Sequence, residues 1–321
     1  MSASRQIVTI PDESAGLRLD QALARMFPDY SRSRLKGWLQ QGHITVDGES
    51  WRPRDVVRGG ETIVLEPQAE IAVSSRPEAI ELDLVYADDH MLVINKPAGL
   101  VVHPGAGNLR GTLMNGLLHR APELAELPRA GIIHRLDKDT SGLMLVARSI
   151  PAHTRLTQML AAREISRHYE AVCHGVLTAG GTIDAPIRRH PVDRLRMAVH
   201  DDGKPAVTHY TVRQRYAAHS HVDVRLESGR THQIRVHFAW RRYPLAGDPV
   251  YGGRLAIPAG ADDELAAFLR GFRRQALCAT RLALAHPVSG EPLDFAVLPP
   301  QDFRELLRLL AAHAASVRTA R

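Results

Sequence analysis

The sequence predicts an α+β protein in two parts: a small helix-helix-hairpin unit, then a larger domain on a largely antiparallel sheet. Three observations lead there. At 321 residues the chain is long enough for roughly two domains of about 100 to 200 residues. Beyond residue 80, apolar runs of strand length outnumber helical patterns, which favours α+β over a doubly wound parallel sheet. No G-x-G-x-x-G or G-x-x-x-x-G-K-S/T phosphate loop occurs, nor any solenoid repeat. A hydrophobic content of 44% with 24% charged residues suffices for a core and excludes a disordered or collagen-like chain.

The elements follow in order. Leu19, Ala22, Leu23 and Met26 recur at helical spacing on one apolar face, within a helix beginning near Leu17. A second helix has Ser31 as N-cap, Leu35, Trp38 and Leu39 on one face, and Gly42 as its stop. Ile44 and Val46 then alternate with polar residues up to Asp47-Gly48, a hairpin signal, and a return strand fits 62–65. Residues 1–16 precede this unit as an N-terminal extension, and the unit itself is assigned 17–75. Residues 67–79 lose periodicity and gain Pro, Ser and small residues, the mark of a linker. The larger domain, 76–321, carries strands at 92–94, 132–133, 143–146, 169–173, 208–212, 222–226 and 282–284, with helices at 153–162 and 233–240. Phe303, Leu306, Leu307 and Leu310 give 302–315 an amphipathic helical face.

The formal charge is +6, from 41 Lys plus Arg against 35 Asp plus Glu. Four of these cations are Lys (Lys36, Lys96, Lys138, Lys204) and the others are Arg, whose planar fork suits phosphates and base edges. A GC-rich genome would enrich Arg too, so composition leaves a nucleic-acid role and mere bias both open. Between Ser31 and Arg58, the cations Arg32, Arg34, Lys36, Arg52, Arg54 and Arg58 outnumber Asp47, Glu49 and Asp55. A solvated helix face and a phosphate-contacting face both fit. No run of about 18 apolar residues occurs, and the start MSASRQIVTIPDES lacks a secretory pattern. A soluble cytoplasmic protein without membrane contact is expected. Cys173 and Cys278 are too few for a disulfide framework or a cysteine-rich zinc site.

Two polar segments concentrate chemistry. Residues 131–148, GIIHRLDKDTSGLMLVAR, set HRLDKDTSG between two apolar runs, a place where catalytic groups are commonly held on a loop by a rigid sheet. Taken alone, Asp137 beside Arg135 also fits a surface ion pair. Residues 227–238, ESGRTHQIRVHF, crowd Arg230, His232, Gln233, Arg235 and His237 together, with Thr231 and Arg235 four apart on a helix. In SRHYEAVCHG, Tyr169 alternates with Ala171 and Cys173 on one strand face, which equally describes a packed core tyrosine.

The pattern LRLDQALARMFPDYSRSRLKGWLQQGHITVDG resembles the small S4-like RNA-binding module first described in a small-subunit ribosomal protein. HRLDKDTSG, with NKPAGLVVHPGAG at 95–107 and GRTHQIRVH downstream, resembles the RluA/RluD family of pseudouridine synthases, most closely its RluD branch. The similarity runs from about Leu17 to about Leu298. That branch modifies uridines in the helix 69 stem-loop of bacterial 23S ribosomal RNA, so the resemblance implies a ribosomal RNA partner and an isomerase that needs no cofactor or metal. It makes Asp137 the essential aspartate, Tyr169 the tyrosine that stacks on the target base and is a candidate for removing the C5 proton, and Arg235 the partner of the aspartate. Leu277, in RQALCAT, corresponds to an apolar residue under the uracil. Arg167 stands where the family usually has Lys, and Cys278 where many members have His.

Isomerisation breaks the N1–C1′ bond, turns the uracil and joins C5 to C1′, after extruding the nucleotide at a cost of about a few kcal/mol. Stacking on an aromatic ring offsets about 1 to 3 kcal/mol of this. An ionised Asp137 can attack C1′ or withdraw the 2′ proton on a glycal route, and the sequence does not choose. Histidines 103, 134, 232 and 237 lack a metal-ligand spacing; His134, counted among the substrate-binding residues, also fits a loop-bracing role. Arg135 fits a wedge behind the flipped base, a hold on a flanking phosphate, or a structural ion pair. Arg230 joins the substrate-binding set. Arg188 and Arg189, near Arg194 and Arg196, are read as RNA-backbone contacts, with a solvated loop as the plainer alternative. Competing functions are the same chemistry on another ribosomal site or a transfer RNA, a catalytically silent ribosome-assembly factor, and a carboxylate hydrolase, for which no nucleophile elbow is present.

Overall fold

The computed structural model describes residues 5–28, 30, 32–67, 76–105, 108–193 and 195–319, without the side chains of 32–34. The chain divides into two compact units, Met1–Ser74 and Ser75–Arg321.

The small unit holds β1 (Gln6–Thr9), α1 (Leu19–Met26), α2 (Arg32–Gln40), β2 (Ile44–Val46) and β3 (Thr62–Leu65). Leu19, Ala22 and Leu23 of α1 and Leu35, Trp38 and Leu39 of α2 pack on Ile44, Val46, Ile63 and Leu65, so helix and strand periodicities meet in one core. Gly42 leaves α2 at φ +81, a left-handed exit that glycine takes without strain. Ser31, the expected N-cap, lies outside the described residues. The hairpin differs from expectation. Asp47-Gly48 closes only a bridge between Val46 and Glu49, and the chain wanders through Val57, which enters the core, before β3 returns to pair with β2. The Asp47 carboxylate spans the gap by accepting from the Thr62 amide at 2.8 Å. Residues 6–9, expected within an extension, instead pair along the other edge of β3, covering backbone groups that would otherwise be an open edge.

The large unit runs β4 (Leu84–Ala87), β5 (Met91–Lys96), α3 (Leu113–Arg120), β6 (Ser141–Ala147), α4 (Ile150–Ala161), β7 (Ser166–His174), β8 (Gly181–Asp184), β9 (Ile187–Arg189), β10 (Met197–Val199), β11 (Val207–Arg215), β12 (His219–Leu226), α5 (Gln233–Trp240), α6 (Asp263–Gly271), β13 (Leu277–Ala285), β14 (Pro292–Ala296) and α7 (Gln301–Thr319). Nine strands form one sheet in the order β4-β5-β6-β13-β7-β12-β11-β8, with β14 also on β13, while β9 and β10 make a separate ribbon. The β13–β6 pairing is parallel and the others are antiparallel. This is the expected α+β domain on a mainly antiparallel, mixed sheet.

Both faces of the sheet are covered, and alternate residues divide between them. Leu92, Ile94, Met144, Val146, Tyr169 and Ala171 meet Leu113 and Leu117 of α3 and Ile234 and Phe238 of α5. Met91, Val93, Leu143 and Leu145 meet Ala152, Leu156 and Met159 of α4, while α6 and α7 bury Leu265, Leu269, Phe303 and Leu306 around Val172. Double coverage is why β5 and β6 read as continuous apolar runs. Two segments depart from expectation. Residues 132–133 make a single bridge, Ile132 to Val146, after a turn with Arg129 and Ala130 at positive φ. Residues 68–75 of the expected linker lie outside the described residues, but its end is tied to α3: Asn115 Nδ2 donates to the Arg76 carbonyl at 2.9 Å and the Glu78 amide to the Asn115 carbonyl.

Candidate active site

The polar loop 133–140 enters β6, and its shape is set by bonds from several elements. Lys96, at the end of β5, is fully buried, and its Nζ donates to the carbonyls of Pro97 at 2.7 Å, Leu100 at 3.0 Å and Lys138 at 2.9 Å. Burial pushes this amine down to about 8, opposed by Asp139 and Asp137, so it still carries its proton and all three donors at neutral pH. The Gly99 amide shares the Lys138 carbonyl, and the Thr140 amide donates to the Asp137 carbonyl. Gln275 holds the Thr140 hydroxyl at 2.9 Å. His134 turns inward, its Nε2 accepting from the Leu145 amide at 3.2 Å. Burial, with the Arg167 charge, pushes that imidazole down to about 3, so it is neutral.

On this loop Asp137 keeps 22% of its side chain exposed. Arg235 of α5 donates from Nη1 to Asp137 Oδ2 at 3.0 Å, and His232 Nε2 lies 4.0 Å from Oδ1. Arg235 is otherwise engaged by Asp248, donating from Nε to Oδ2 at 2.7 Å and from Nη2 to Oδ1 at 2.9 Å. Asp248 Oδ1 also accepts from the amides of Val250 and Tyr251. Burial works against ionisation of Asp248, but the Arg235 guanidinium and the two amides hold its carboxyl below the ordinary range. Burial likewise opposes the charge on Arg235, and the two carboxylates together raise its pKa. The Tyr251 ring packs 5.0 Å from the Arg235 guanidinium and 5.2 Å from that of Arg196. Its hydroxyl meets His232 Nδ1 at 2.8 Å and accepts from the Met197 amide. Arg235 is thus a planar cation clamped by one buried carboxylate, stacked on an aromatic ring and presented to a second, half-open carboxylate.

Asp137, His232 and Arg235 border a cleft of about 780 Å³, lined also by Val102, Leu136, Arg167, Tyr169, Arg230 and Leu277. Tyr169 and Leu277 are 5% and 4% exposed. Burial raises the Tyr169 phenol, with Arg167 opposing and Asp137 adding to it, so the ring is an uncharged face at neutral pH. Leu277 reaches the cleft because β13 lies tightly on β6. A Cβ at Gly142, where φ is +110, would stand 2.1 Å from the Ala279 carbonyl oxygen, so the motif's glycine is required by that approach.

The cleft therefore brings together Asp137, Tyr169, Arg235, Leu277, Arg135, His134 and Arg230. Arg135 is exposed, with Nη2 3.4 Å from the Thr231 hydroxyl, and Arg230 donates from Nε to the Pro205 carbonyl at 3.1 Å. Arg188 and Arg189 are not among its lining residues; they lie on β9, where Arg188 pairs with Asp202 at 2.7 Å. Arg194 and the side chains of Arg32 and Arg34 are outside the described residues, and Lys36 is exposed on α2. Gln233 and His237, grouped with Arg235 by sequence, instead bond Thr208. Asp248 and Tyr251 escaped the sequence reading. Their signal is faint: one acid in the Gly/Pro-rich turn LAGDPVYGG, with an aromatic residue three positions on. Among the described residues no group of three or more His, Cys, Asp or Glu is placed to hold a metal ion, and no helix is long and apolar enough to cross a membrane.

Comparison with known proteins accounts for this assembly. Residues 90–240 match the family described as RNA pseudouridylate synthase, and residues 17–63 match the S4 domain. The chain is 55% identical over 314 residues to a Xanthomonas campestris protein named ribosomal large subunit pseudouridine synthase D, spanning 98% of this chain and 95% of that one. Its namesakes from Pseudomonas aeruginosa and Escherichia coli K12 are 56% and 52% identical, over 94% and 95% of this chain and 94% of each of theirs. Among solved structures, human RNA pseudouridylate synthase domain containing 4 superposes with a TM-score of 0.56 at 25% identity, over 71% of this chain and 93% of its own. A cleft built on HRLD and HQIR, a nine-stranded mixed sheet and identity above one half along nearly the whole length place the chain in the RluD family of RNA pseudouridine synthases.

Proposed function

We propose that this protein works in the cytoplasm on 23S ribosomal RNA and isomerises uridines of the helix 69 stem-loop. Relatives more than 50% identical along nearly the whole chain carry the ribosomal large-subunit name, and this is the basis for the RNA target. The observation supporting the catalytic assignment is the Asp137 carboxylate, aimed by an arginine that a second carboxylate already neutralises.

In this reading the target nucleotide is extruded into the cleft, where the uncharged Tyr169 ring stacks on the uracil and Leu277 supports it. Arg235, donating to Oδ2, fixes the direction of the Asp137 carboxylate. The carboxylate then either attacks C1′ or takes the 2′ proton as the N1–C1′ bond opens. The uracil turns against Tyr169, C5 joins C1′, and the C5 proton leaves while N1 gains one. Atoms balance without a redox partner. Neutral His134 and buried Lys96 hold the loop and carry no reacting proton. Lys36, Arg52, Arg54 and Arg58, with Arg32 and Arg34, are assigned to RNA phosphates, as are Arg188 and Arg189. Arg135 and Arg230, at the cleft, are assigned to nucleotides flanking the target.

The test is tritium release from C5-tritiated uridine in a helix 69 transcript and in bulk transfer RNA. Release from the first alone is expected; release from transfer RNA alone would refute the ribosomal assignment. Asp137→Asn is expected to bind the transcript with wild-type affinity and release no tritium, and retained turnover would overturn its catalytic role.

A further inference from the structure

Among the described residues three arginines are buried: Arg167, Arg235 and Arg274. Arg235 clamps Asp248, and Arg274 clamps Asp302. Arg167 clamps nothing. It is 6% exposed, no hydrogen bond or ion pair reaches its guanidinium among the described residues, and its Nε is sealed from solvent without a partner. Yet the side chain lines the cleft. It sits two residues before Tyr169 on β7, hence on the same sheet face. On its other side it packs on the Gly229 backbone, where a Cβ would come within 2.8 Å of Nη1. Its charge reaches both His134 and Tyr169.

A buried cation without a counter-charge is costly to keep in a folded protein. No described residue supplies its counterpart, and the cleft that Arg167 lines is where a ligand can. We propose that Arg167 receives a carbonyl oxygen of the extruded uracil and stabilises the negative charge that the base acquires as its bond to C1′ breaks. This rests on the assignment of Asp137 and Tyr169 to the reaction. When the N1–C1′ bond opens, its electron pair leaves with the uracil and spreads over N1, O2 and O4. The ribose either bonds through C1′ to an Asp137 oxygen or passes its 2′ proton to that carboxylate. Joining C5 to C1′ reverses that step, the C5 proton departs, N1 is protonated, and no co-reactant is consumed.

A base anion fits the site better than a phosphate. A phosphodiester is charged throughout and lies toward solvent, whereas Arg167 is enclosed beside the ring assigned to stack the base. A neutral uracil in the bound state draws only a weak bond from the guanidinium, and the full charge finds its match only as the bond breaks. That difference between bound and transition states is what accelerates a reaction.

The experiment compares wild type, Arg167→Met and Arg167→Lys by single-turnover tritium release at saturating RNA, by the salt dependence of RNA binding, and by thermal unfolding. Arg167→Met is expected to lose about 100-fold in saturated rate, the typical loss on removing one oxyanion donor, with Kd within twofold. Its Tm is expected to equal or exceed the wild-type value, since no protein partner is stranded. Arg167→Lys is expected to recover part of the rate. Any of three outcomes overturns the proposal: an undiminished rate in Arg167→Met; a weaker Kd and shallower salt slope with the saturated rate kept, which marks a phosphate contact; or a lowered Tm with slow Arg167→Lys, which marks a structural role. Full activity in Asp137→Asn would overturn the underlying site assignment and this proposal together, whereas an inactive Asp137→Asn beside a fully active Arg167→Met overturns this proposal alone.

Discussion

The direction of the Asp137 carboxylate is set by a chain of charges rather than by one partner. Arg235 contributes a single bond to it and two to Asp248, so the inner carboxylate fixes the plane of the guanidinium and the outer one uses what remains. Tyr251, beneath Arg235 and bonded to His232, closes the arrangement. Removing charge from Asp248 leaves a nearly buried arginine with one half-exposed partner, and breaking a buried pair costs about 3 to 5 kcal/mol. Asp248→Asn is therefore expected to lower the unfolding midpoint and to slow tritium release on saturating RNA more than tenfold, because a misdirected carboxylate loses its alignment with C1′. RNA affinity should hold; a variant with wild-type rate and midpoint would show that Asp248 does not set the geometry. At this scale the site was half legible. Asp137 and Arg235 stand in the two dense polar segments, whereas Tyr169 and Leu277 are picked out only by the family resemblance. Asp248 and Tyr251 belong to a turn whose meaning arises only when the fold lays it against α5.

At the scale of elements, the cleft depends on how closely β13 approaches β6. The two strands share a short parallel pairing, Cys278 with Ser141 and Ala279 with Gly142, and the Gly142 backbone lies against that of Ala279 with no room for a side chain. Gly142→Ala combines a clash with backbone and a left-handed φ, and is expected to destabilise the protein by about 3 kcal/mol. Thermal unfolding measures this directly, and an unchanged midpoint would mean that β13 can shift at no cost. The element pattern explains what the sequence revealed. Helices α1, α2, α4, α5 and α7 announce themselves by spacing, and β5, β6, β7, β11 and β12 by apolar runs. Strand β1 was hidden because four mostly exposed residues gain their identity only from the unpaired edge of β3. The expected strand at 132–133 failed because the preceding turn, with Arg129 and Ala130 at positive φ, aims the chain across β6 and permits a single bridge.

At the scale of the whole molecule, the arginines singled out by sequence lie in separate places, Arg135 and Arg230 at the cleft and Arg188 and Arg189 on the β9–β10 ribbon. Arg188 and Arg189 on the β9–β10 ribbon stand apart from the cleft lining, so their joint replacement by Ala is expected to weaken RNA binding and lower the salt slope by about 1 to 2, about one per phosphate contact, with the saturated rate unchanged. An unaltered slope would return them to the role of solvated side chains. The interior carries a second signature, in acid. His134 and His219 are held down to about 3, and His103 to about 4, burial being the main cause in each. His219 also feels His174 and His313, and His103 feels Arg129 and Arg135. These imidazoles are neutral in the folded chain and take protons near 6.5 when unfolded, so the unfolded state binds more protons between pH 6.5 and about 4. Their contribution to stability is complete above pH 6.5 and falls as pH drops through that window, each by up to about 1.4 kcal/mol per pH unit. The carboxyls of Asp88, Glu170 and Asp302 are held below their ordinary values, despite burial, by the hydrogen bonds and cations around them. Their contribution is complete above the ordinary carboxyl range and is lost only as pH falls below it, through their folded values. The urea midpoint is therefore expected to decline already between pH 6.5 and 5, before the carboxyls of Asp88, Glu170 and Asp302 contribute, and to fall more steeply below pH 4. His219 is the cleanest probe, because both its ring nitrogens are buried and unpartnered. His219→Leu should flatten the upper part of the decline and leave the lower part intact, whereas a midpoint constant from pH 7 to 5 in the wild type would show that these histidines protonate without disturbing the fold.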